Sequence, residues 1–476
     1  MSNPKTQADA CLRKAVMAAA VYSQLDQEAT DAIVEAVFRA GVKNRVRLAK
    51  LAYEETGKGV WQDKVIKNLA ATLLVYADIK DERTAGVISR DELTGITEIA
   101  QPLGPILGVI PVTNPTSTVM FKILISLKTR NPIIISPHMD AMGCCGEAAR
   151  ICYEAALAAG APDDCVQWIS EFSRELTHEL MIHPQLALIL ATGGSGLVKA
   201  AYSSGTPALG VGAGNVPVYI EQSADIPFAI TSIIVSKSFD NGTICASEQA
   251  VVVERAIADR VRAEFEKQNC HFMSPKEIEK LEKVAVDPES GIMNPAIVGQ
   301  SASTIAGMAG IDIPEGTKLL IAPQEKVGRD YPLSGEILAP VLAYYVRDDL
   351  NSALKLCIEL NYRGGVGHTA SIFSNDDEKI MAFAELMNAG RIVVNTPSSQ
   401  GAVGGIYNTL STSFTLGCGA GGKNITTDNI TARNLINIKR VCRRRTNEKF
   451  QAFPLEMYLD DTIEPDRILK EYNKNH

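Results

Sequence analysis

Hydrophobic positions along the first 80 residues recur with the spacing of a helix. Ile33, Val34, Val37 and Phe38 follow Thr30-Asp31, residue types that favour a helix N-terminus. Residues 5–80 are therefore predicted to be helical. From residue 86 the pattern alternates and turns at glycines, in "GVISRDELTGITEIAQPLGPILGVIPV". This predicts a β-hairpin over about 86–101, followed by a buried strand.

Short apolar strands and helices alternate from there to about residue 240. The predicted strands are "NPIIIS", "LALILA" and "PALGVG". The predicted helices are "MDAMGCCGEAARICYEAALAAG", which ends at Gly160, and "GLVKAAYSSG". Alternation of this kind predicts parallel βαβ units in a doubly wound sheet.

A second α/β region follows residue 245 and runs to "GRIVVNTPSSQG". Its predicted strands include "AVVVE" and "TKLLIA", and its helices include "IADRVRAEFEKQ" and "RDDLNSALKLCIEL". The tail "NLINIKRVCRR" alternates again. We interpret it as a strand that adds to the sheet of a neighbouring subunit.

Composition narrows the class of protein. The chain has 476 residues, 46% of them hydrophobic and 21% charged, which suits a globular protein of two to three domains. Its net charge of −8 gives no electrostatic reason to bind nucleic acid or an anionic membrane. No apolar run approaches the roughly 20 residues of a spanning helix, and the N-terminus lacks a signal-peptide pattern. We expect a cytoplasmic protein.

One of the ten cysteines, Cys245, lies in a polar stretch, "KSFDNGTICASEQ", between two apolar runs. The cysteines show neither C-x-x-C nor zinc-site spacing, so no metal site is expected. In a reducing compartment most of them should be small buried apolar groups. From the residues alone Cys245 could be a structural thiol, a metal ligand, half of a disulfide or a nucleophile.

The roles of other polar residues are also undecided when each residue is considered alone. Asn114, in "PVTNPTST", is either a turn residue or an amide donor for an oxyanion. The glycine turns in "ILATGGSGLVKAA" and "LGVGAGNVPVYIE" are either tight turns or phosphate cradles. His368, in "RGGVGHTASIF", is either a core imidazole or a catalytic group.

Together these segments resemble the aldehyde dehydrogenase superfamily. The resemblance is closest to its CoA-acylating branch, as found in the N-terminal half of bifunctional aldehyde–alcohol dehydrogenases. It spans about residues 60–440, and no alcohol dehydrogenase half follows, which suggests a stand-alone enzyme. The matching segments, in family order, are "WQDKVIKN", "PVTNPTST", "SLKTRNPIIISPH", "LILATGGSGLVKAAYSSGTPALGVGAGNVPV", "SKSFDNGTICASEQ", "GGVGHTA", "NTPSSQG" and "TLGCG".

The resemblance implies a catalytic role for three residues. Cys245 would attack the aldehyde carbonyl as a thiolate and carry the acyl group as a thioester. The side-chain amide of Asn114 and the backbone N–H of Cys245 would bind the oxyanion. His368 would handle protons around the thioester or CoA.

The resemblance also implies NAD as cofactor, with NADP as an alternative. Glu336, in "SGEILAP", would orient the nicotinamide ribose. Ser136, Pro137 and His138 would lie near the adenosine ribose. Thr192, Gly193, Gly194 and Gly212 would lie near the pyrophosphate and the cofactor.

A missing carboxylate predicts the acyl acceptor. Hydrolytic members of the family activate water with a glutamate in a segment usually written E-L-G-G-K-S-P. The matching stretch here, "GVGAGNVP", has no carboxylate. Glu248 is the nearest carboxylate in sequence, and we do not expect it to act as that base. The thiol of coenzyme A is therefore expected to take the acyl group.

The sequence gives only indirect information about the aldehyde substrate. Acetaldehyde is the expected substrate, with Thr113, Ile244 and Lys423 as candidate substrate contacts. Where the family reads G-C-G-S-W-G-G-N, this chain reads "GCGAGGKN". The added space at Gly421 and the cation of Lys423 could suit sulfoacetaldehyde or succinate semialdehyde, unless Lys423 faces solvent or another subunit.

The expected architecture combines a Rossmann-type cofactor domain with a second α/β catalytic domain and small β oligomerisation elements. Residues 1–240 would form the cofactor domain, residues 241–405 the thiol domain, and residues 406–476 a return to the cofactor domain with an oligomerisation strand. Cys245 would mark the passage between domains. The partners would be an aldehyde, CoA and further copies in a homodimer or homotetramer. A hydrolytic enzyme and a non-catalytic assembly subunit are the rival hypotheses.

Overall fold

The helical periodicity of the first 80 residues gives four helices in the computed structural model, which describes residues 3–287 and 291–474. They are α1 (Pro4–Tyr22), α2 (Gln27–Thr56), α3 (Trp61–Leu69) and α4 (Val75–Ile79). Asp26 caps α2, its side chain accepting from the backbone N–H of Ala29, and Gly57 ends the helix in the left-handed region. The hairpin follows as β1 (Gly86–Asp91) and β2 (Ile96–Pro102), antiparallel as predicted.

A parallel five-stranded sheet follows, in the order β5-β4-β3-β6-β7. Its strands are β3 (Ile106–Val109), β4 (Ile133–Ser136), β5 (Val166–Trp168), β6 (Leu188–Thr192) and β7 (Ala208–Val211). The helices between them are α5 (Pro115–Lys128), α6 (Met142–Ala158), α7 (Arg174–Met181) and α8 (Ser195–Ser203). Helix α5 is buried along its whole length, because α2 and α6 pack against it.

A second parallel sheet has seven strands, in the order β10-β11-β12-β9-β8-β13-β14. Its strands are β8 (Val216–Ile220), β9 (Glu248–Glu254), β10 (Cys270–Phe272), β11 (Leu319–Pro323), β12 (Val341–Arg347), β13 (Gly367–Phe373) and β14 (Ala389–Val394). The accompanying helices are α9 (Ile226–Ser238), α10 (Arg255–Lys267), α11 (Pro275–Ala285), α12 (Ala302–Ala309), α13 (Leu350–Gly364), α14 (Asp377–Leu386) and α15 (Ser398–Val403).

The sheets place the division of the chain earlier than predicted. The chain leaves the five-stranded sheet after Val211 and enters the seven-stranded sheet at Val216. The predicted boundary at residue 240 and the predicted passage at Cys245 are therefore corrected to the segment 212–215. Both flanking strands are short, apolar and bounded by glycine, so the sequence does not reveal that they belong to different sheets.

The C-terminal segment returns to the first half of the chain. Ile430, Ala432 and Leu435 pack into the same core as α2, α5 and α6. Strand β15 (Ile436–Cys442) then pairs antiparallel with β2, so the tail is a strand, as predicted. It joins the hairpin of its own chain through one edge, and its other edge has no strand partner among the described residues. Pairing of that edge with a neighbour's sheet stays a prediction. Three short helices follow, α16 (Glu448–Gln451), α17 (Leu455–Leu459) and α18 (Pro465–Asn473).

No helix within the two described ranges is both long and apolar enough to cross a membrane.

Candidate active site

The carboxyl ends of four strands bring most of the predicted cofactor residues to one edge of the five-stranded sheet. In the strand register Val109 pairs with Ser136 and with Ala191, and Thr192 pairs with Val211. Parallel strands end at the same edge, where ligands of open α/β sheets bind. The residues that follow β3, β4, β6 and β7 there are Asn114, Pro137, His138, Gly193, Gly194 and Gly212.

This edge offers space as well as polar groups. A Cβ atom built on Gly194 or Gly212 would meet no heavy atom within 4 Å. Ser136 Oγ lies 3.0 Å from Thr177 Oγ1, and Thr192 Oγ1 lies 3.3 Å from Thr415 Oγ1. These residues therefore fit a dinucleotide, with an open cradle at two glycines and hydroxyl groups beside it.

A strained turn presents the thiol. Cys245 lies between a 3₁₀ turn (Phe239–Gly242) and β9. Asp240, Asn241 and Gly242 have φ values of 49°, 53° and 72°. Asp, Asn and Gly tolerate this left-handed region best, which explains the Asp-Asn-Gly sequence ahead of the cysteine.

Cys245, in the turn before β9, forms a pair with His368 on β13. Nε2 of His368 lies 3.2 Å from the Cys245 Sγ, and its Nδ1 lies 2.9 Å from Thr369 Oγ1. Burial, together with the charge of Arg391, lowers the pKa of His368 to about 3. Burial also raises the pKa of Cys245 to about 12; Glu336 and Cys418 add to the rise, and Arg391 opposes it. The resting pair is thus a neutral thiol beside a neutral imidazole.

Glu336 and Gly214 lie on another side of the thiol turn. The backbone N–H of Gly214 donates to Glu336 Oε1 at 2.8 Å. Burial raises the pKa of Glu336 to about 7. A Cβ on Gly214 would lie 2.2 Å from the carbonyl oxygen of Cys245 and 3.3 Å from His368 Cγ. The segment without a carboxylate therefore passes directly against the cysteine, and only glycine fits there.

Asn114 is linked to the thiol turn through a lysine. Lys67 Nζ donates to Asn114 Oδ1 at 2.6 Å and to Thr243 Oγ1 at 2.8 Å. Asn114 Nδ2 donates to Thr113 Oγ1 at 3.1 Å. A single ammonium group therefore separates the predicted oxyanion donor from the residue two positions before Cys245.

The structure also locates the remaining candidates. Thr113 and Ile244 are buried, Ile244 in an apolar cluster with Val211, Ala246 and Cys418. Lys423 is exposed on a left-handed turn that follows Gly421. Glu248 is buried and its Oε1 accepts from the N–H of Ser398, so this carboxylate is held by backbone.

Sequence reasoning assigned no role to several charged residues around the site. Lys64, Lys67 and Asp240 form a buried cluster, and Lys67 and Lys64 belong to the quoted "WQDKVIKN" segment. The Arg391 guanidinium is buried and donates to the carbonyl oxygens of His368, Gly417 and Thr427. The sequence signal for the lysines was the presence of three charged residues within one helix flanked by apolar residues. No sequence signal pointed to a role for Arg391.

In the described part of the chain, no group of three or more His, Cys, Asp or Glu side chains is placed to hold a metal ion.

The chain belongs to the aldehyde dehydrogenase family, whose pattern matches residues 2–410. It is 46% identical over 441 residues to the bifunctional aldehyde-alcohol dehydrogenase AdhE of Escherichia coli K12, covering 92% of this chain and 49% of that protein. The chain thus spans about half the length of that relative.

Two further similarities concern proteins of comparable length. An acetylating aldehyde dehydrogenase from Geobacillus thermoglucosidasius superposes with a TM-score of 0.91 at 47% identity, over 93% of this chain and 98% of that one. The succinate-semialdehyde dehydrogenase (acetylating) of Clostridium kluyveri is 34% identical over 90% of this chain and 94% of its own length. The predicted family and α/β fold are confirmed.

Proposed function

We propose that this protein is a CoA-acylating aldehyde dehydrogenase. It would convert a short-chain aldehyde, NAD⁺ and coenzyme A to an acyl-CoA, NADH and a proton. The observation that carries the proposal is the Cys245–His368 pair, enclosed by a glycine segment that brings no carboxylate to the thiol. Two relatives whose names include "acetylating" support the choice of acyl acceptor.

The first step forms a bond between Cys245 Sγ and the aldehyde carbon. His368 Nε2 is 3.2 Å from the sulfur and, as a neutral imidazole, takes the thiol proton as the bond forms. Burial raises the pKa of the resting thiol to about 12, so removal of its proton is expected to be coupled to attack on the aldehyde.

The carbonyl oxygen gains negative charge in this step. The Asn114 Nδ2 group and the backbone N–H of Cys245 are the proposed donors to it. NAD⁺, when bound, accepts the hydride that leaves the former aldehyde carbon. Glu336 would hold the ribose of that cofactor, exchanging its present bond from Gly214 N–H for one from a hydroxyl group.

Coenzyme A then releases the acyl group from Cys245. The CoA sulfur bonds to the acyl carbon and the bond to Cys245 breaks. The CoA thiol proton returns to the departing Cys245 sulfur through water, and the proton that His368 took in the first step is the one released overall. Because the segment 210–217 supplies no glutamate as general base, and Glu336 is assigned to the cofactor ribose, water is poorly activated and competes poorly. Asn114 and Cys245 thus serve both halves of the reaction.

Acetaldehyde is the proposed substrate. Lys423 is exposed, which favours solvent or a subunit contact over recognition of an anionic aldehyde. Anionic aldehydes are the second candidate class of substrate, because one relative is named for succinate semialdehyde. We further propose NAD as the preferred cofactor, a cytoplasmic location and a homodimer or homotetramer.

The test follows NADH formation at 340 nm with and without coenzyme A. Acetaldehyde, sulfoacetaldehyde and succinate semialdehyde are compared as substrates. We expect sustained turnover only with CoA, fastest with acetaldehyde, and none in Cys245→Ala. Cys442→Ala, which removes an exposed thiol, is the matched control and should keep full activity.

The alternatives give different results. Sustained turnover without CoA would identify a hydrolytic enzyme. An inactive wild type that still binds NAD would favour an assembly subunit. Faster turnover of an anionic aldehyde, lost in Lys423→Ala, would reassign the substrate.

A further inference from the structure

Lys67 lies on α3 with its side chain almost fully buried, at 3% exposure. Its ammonium group contacts three oxygen atoms, those of Asn114 Oδ1, Asp240 Oδ2 and Thr243 Oγ1. An ammonium has three hydrogens to donate and no lone pair. Each of its hydrogens thus has a partner.

This contact fixes the orientation of the Asn114 amide. A group that only donates must face the amide oxygen, so the Nδ2 group is turned the other way. Among the described residues Nδ2 makes one bond, to Thr113 Oγ1, which leaves its second hydrogen for another acceptor. If the amide flipped, its oxygen would point where the oxyanion forms and would repel it.

The Asn114 side chain does not cap helix α5, although its position would allow it. It precedes α5 as the N-cap residue, where an asparagine side chain usually accepts from the first helical N–H groups. Here the side chain makes no capping bond. The helix start is thus left without a side-chain cap while the amide oxygen is bound by Lys67.

Asp240 holds the ammonium in place. Besides Lys67 it accepts from Lys64 Nζ at 2.9 Å, from the N–H of Val60 at 2.6 Å and from Thr243 Oγ1 at 2.7 Å. Gly59 lets the carboxylate approach, because a Cβ there would lie 1.9 Å from Asp240 Oδ1. Burial lowers the pKa of Lys67 to about 8 while Asp240 opposes the change, so the amine is mostly protonated at neutral pH.

We propose that Lys67 is a positioning residue that sets the Asn114 amide with its N–H₂ group toward the reacting carbonyl oxygen. The proposal rests on the proposed function, in which Asn114 is an oxyanion donor. The same ammonium also contacts Thr243, two residues before Cys245. Lys67 therefore fixes the distance between the oxyanion donor and the thiol turn.

The test is a double-mutant cycle between Lys67→Met and Asn114→Ala, measured as kcat and KM with aldehyde, NAD⁺ and CoA. Methionine keeps the length of the side chain and removes its donors. We expect Asn114→Ala to lower kcat by about 100- to 1,000-fold and Lys67→Met by about 10- to 100-fold. In the Asn114→Ala background, Lys67→Met should add less than about 3-fold, because its effect passes through the amide.

Lys64→Met is the matched control. Lys64 is equally buried and shares Asp240, but it donates to the carbonyl oxygen of Thr113, not to the Asn114 amide. Its effect on kcat should be smaller than that of Lys67→Met and should add fully to Asn114→Ala. The alkylation rate of Cys245 by iodoacetamide should change less than about 3-fold in Lys67→Met.

Two results would overturn the proposal. One is a Lys67→Met effect that persists in full in the Asn114→Ala background. The other is a loss of Cys245 alkylation in proportion to kcat, which would assign the lysine to the thiol turn. If Lys67→Met does not fold, Lys67→Gln, whose amide can still donate to Asn114, takes its place in the same cycle with a smaller expected loss.

A failure of the proposed function would look different. Unchanged kcat in Asn114→Ala, together with an inactive Cys245→Ala, would remove the oxyanion role of Asn114 itself. That outcome is separate from an additive cycle, in which Asn114 matters and Lys67 acts elsewhere.

Discussion

At the scale of single residues, the site depends on close backbone approach. Gly214 lies between the carbonyl of Cys245 and the ring of His368, and a Cβ there would overlap the carbonyl oxygen and crowd the ring. The backbone N–H of Gly214 also donates a hydrogen bond to Glu336. One glycine therefore determines the relative positions of the thiol, the imidazole and the buried carboxylate.

Gly214→Ala should consequently disturb the site more than the fold. The Cβ would lie 2.2 Å from backbone, which cannot move as a side-chain tip can, so the thiol turn must shift. We expect kcat/KM to fall by at least about 100-fold, since a displacement of about 1 Å costs that much. Stability should fall by about 1–3 kcal/mol, measured by urea unfolding. Gly307→Ala in α12, where a Cβ meets nothing within 4 Å, is the control: it should leave kcat/KM unchanged and raise stability by up to about 1 kcal/mol.

At the scale of elements, a buried ionic cluster joins α3 to the turn that carries the cysteine. Asp240 is fully buried and faces two lysines from successive turns of α3. Asp63 at the start of the same helix accepts from the Asp240 backbone N–H at 2.7 Å. The pKa of Asp240 is lowered overall, although burial alone would raise it, because both lysines favour the charged carboxylate.

Removal of this carboxylate should be costly. Asp240→Ala would leave two buried ammonium groups without their shared anion, which we expect to destabilise the fold by about 3–5 kcal/mol. Thermal and urea unfolding measure the loss. Because the folded-state pKa is depressed, the stabilisation from Asp240 in the wild type is present above its unfolded pKa and is lost as the pH falls through the folded value. Asp348→Ala, which breaks an exposed pair with Arg255, should cost no more than about 1 kcal/mol.

At the scale of the whole molecule, the three-stranded sheet β1-β2-β15 stands apart from the two parallel sheets. Both of its outer strands, β1 and β15, have a free edge and are largely exposed. Val87, Ile438 and Val441 are each at least 40% exposed on them. An exposed edge with apolar side chains is suited to pair with another chain.

Truncation before β15 should therefore disrupt the assembly. A chain ending at residue 435 would lose the strand and is expected to shift the oligomer toward monomers, measured by light scattering after size-exclusion chromatography. A chain ending at residue 446 keeps β15 and removes only α16–α18, so it should retain the oligomer. The same number of subunits in both truncations and in the full chain would exclude this sheet as a subunit contact.

Much of the local structure follows from the sequence. The helices of 5–80, the hairpin and the tail strand were predicted from periodicity and turn residues, since these depend on neighbours a few positions apart. The strand partners of the tail and the point where the chain changes sheets were not. Both depend on which of several similar strand edges a given strand pairs with in the folded protein.

The same distinction applies to the site. The sequence by itself identified the family, and with it Cys245, Asn114, His368 and Glu336 as candidates, because their motifs are contiguous and ordered along the chain. Only the tertiary structure decided that Nε2 of His368 faces the sulfur, that Gly214 encloses the thiol, and that Lys67 and Asp240 connect Asn114 to the cysteine turn. Those contacts join residues 31 (Gly214 and Cys245) to 173 (Lys67 and Asp240) positions apart, and sequence spacing carries no information about contacts formed across folded elements.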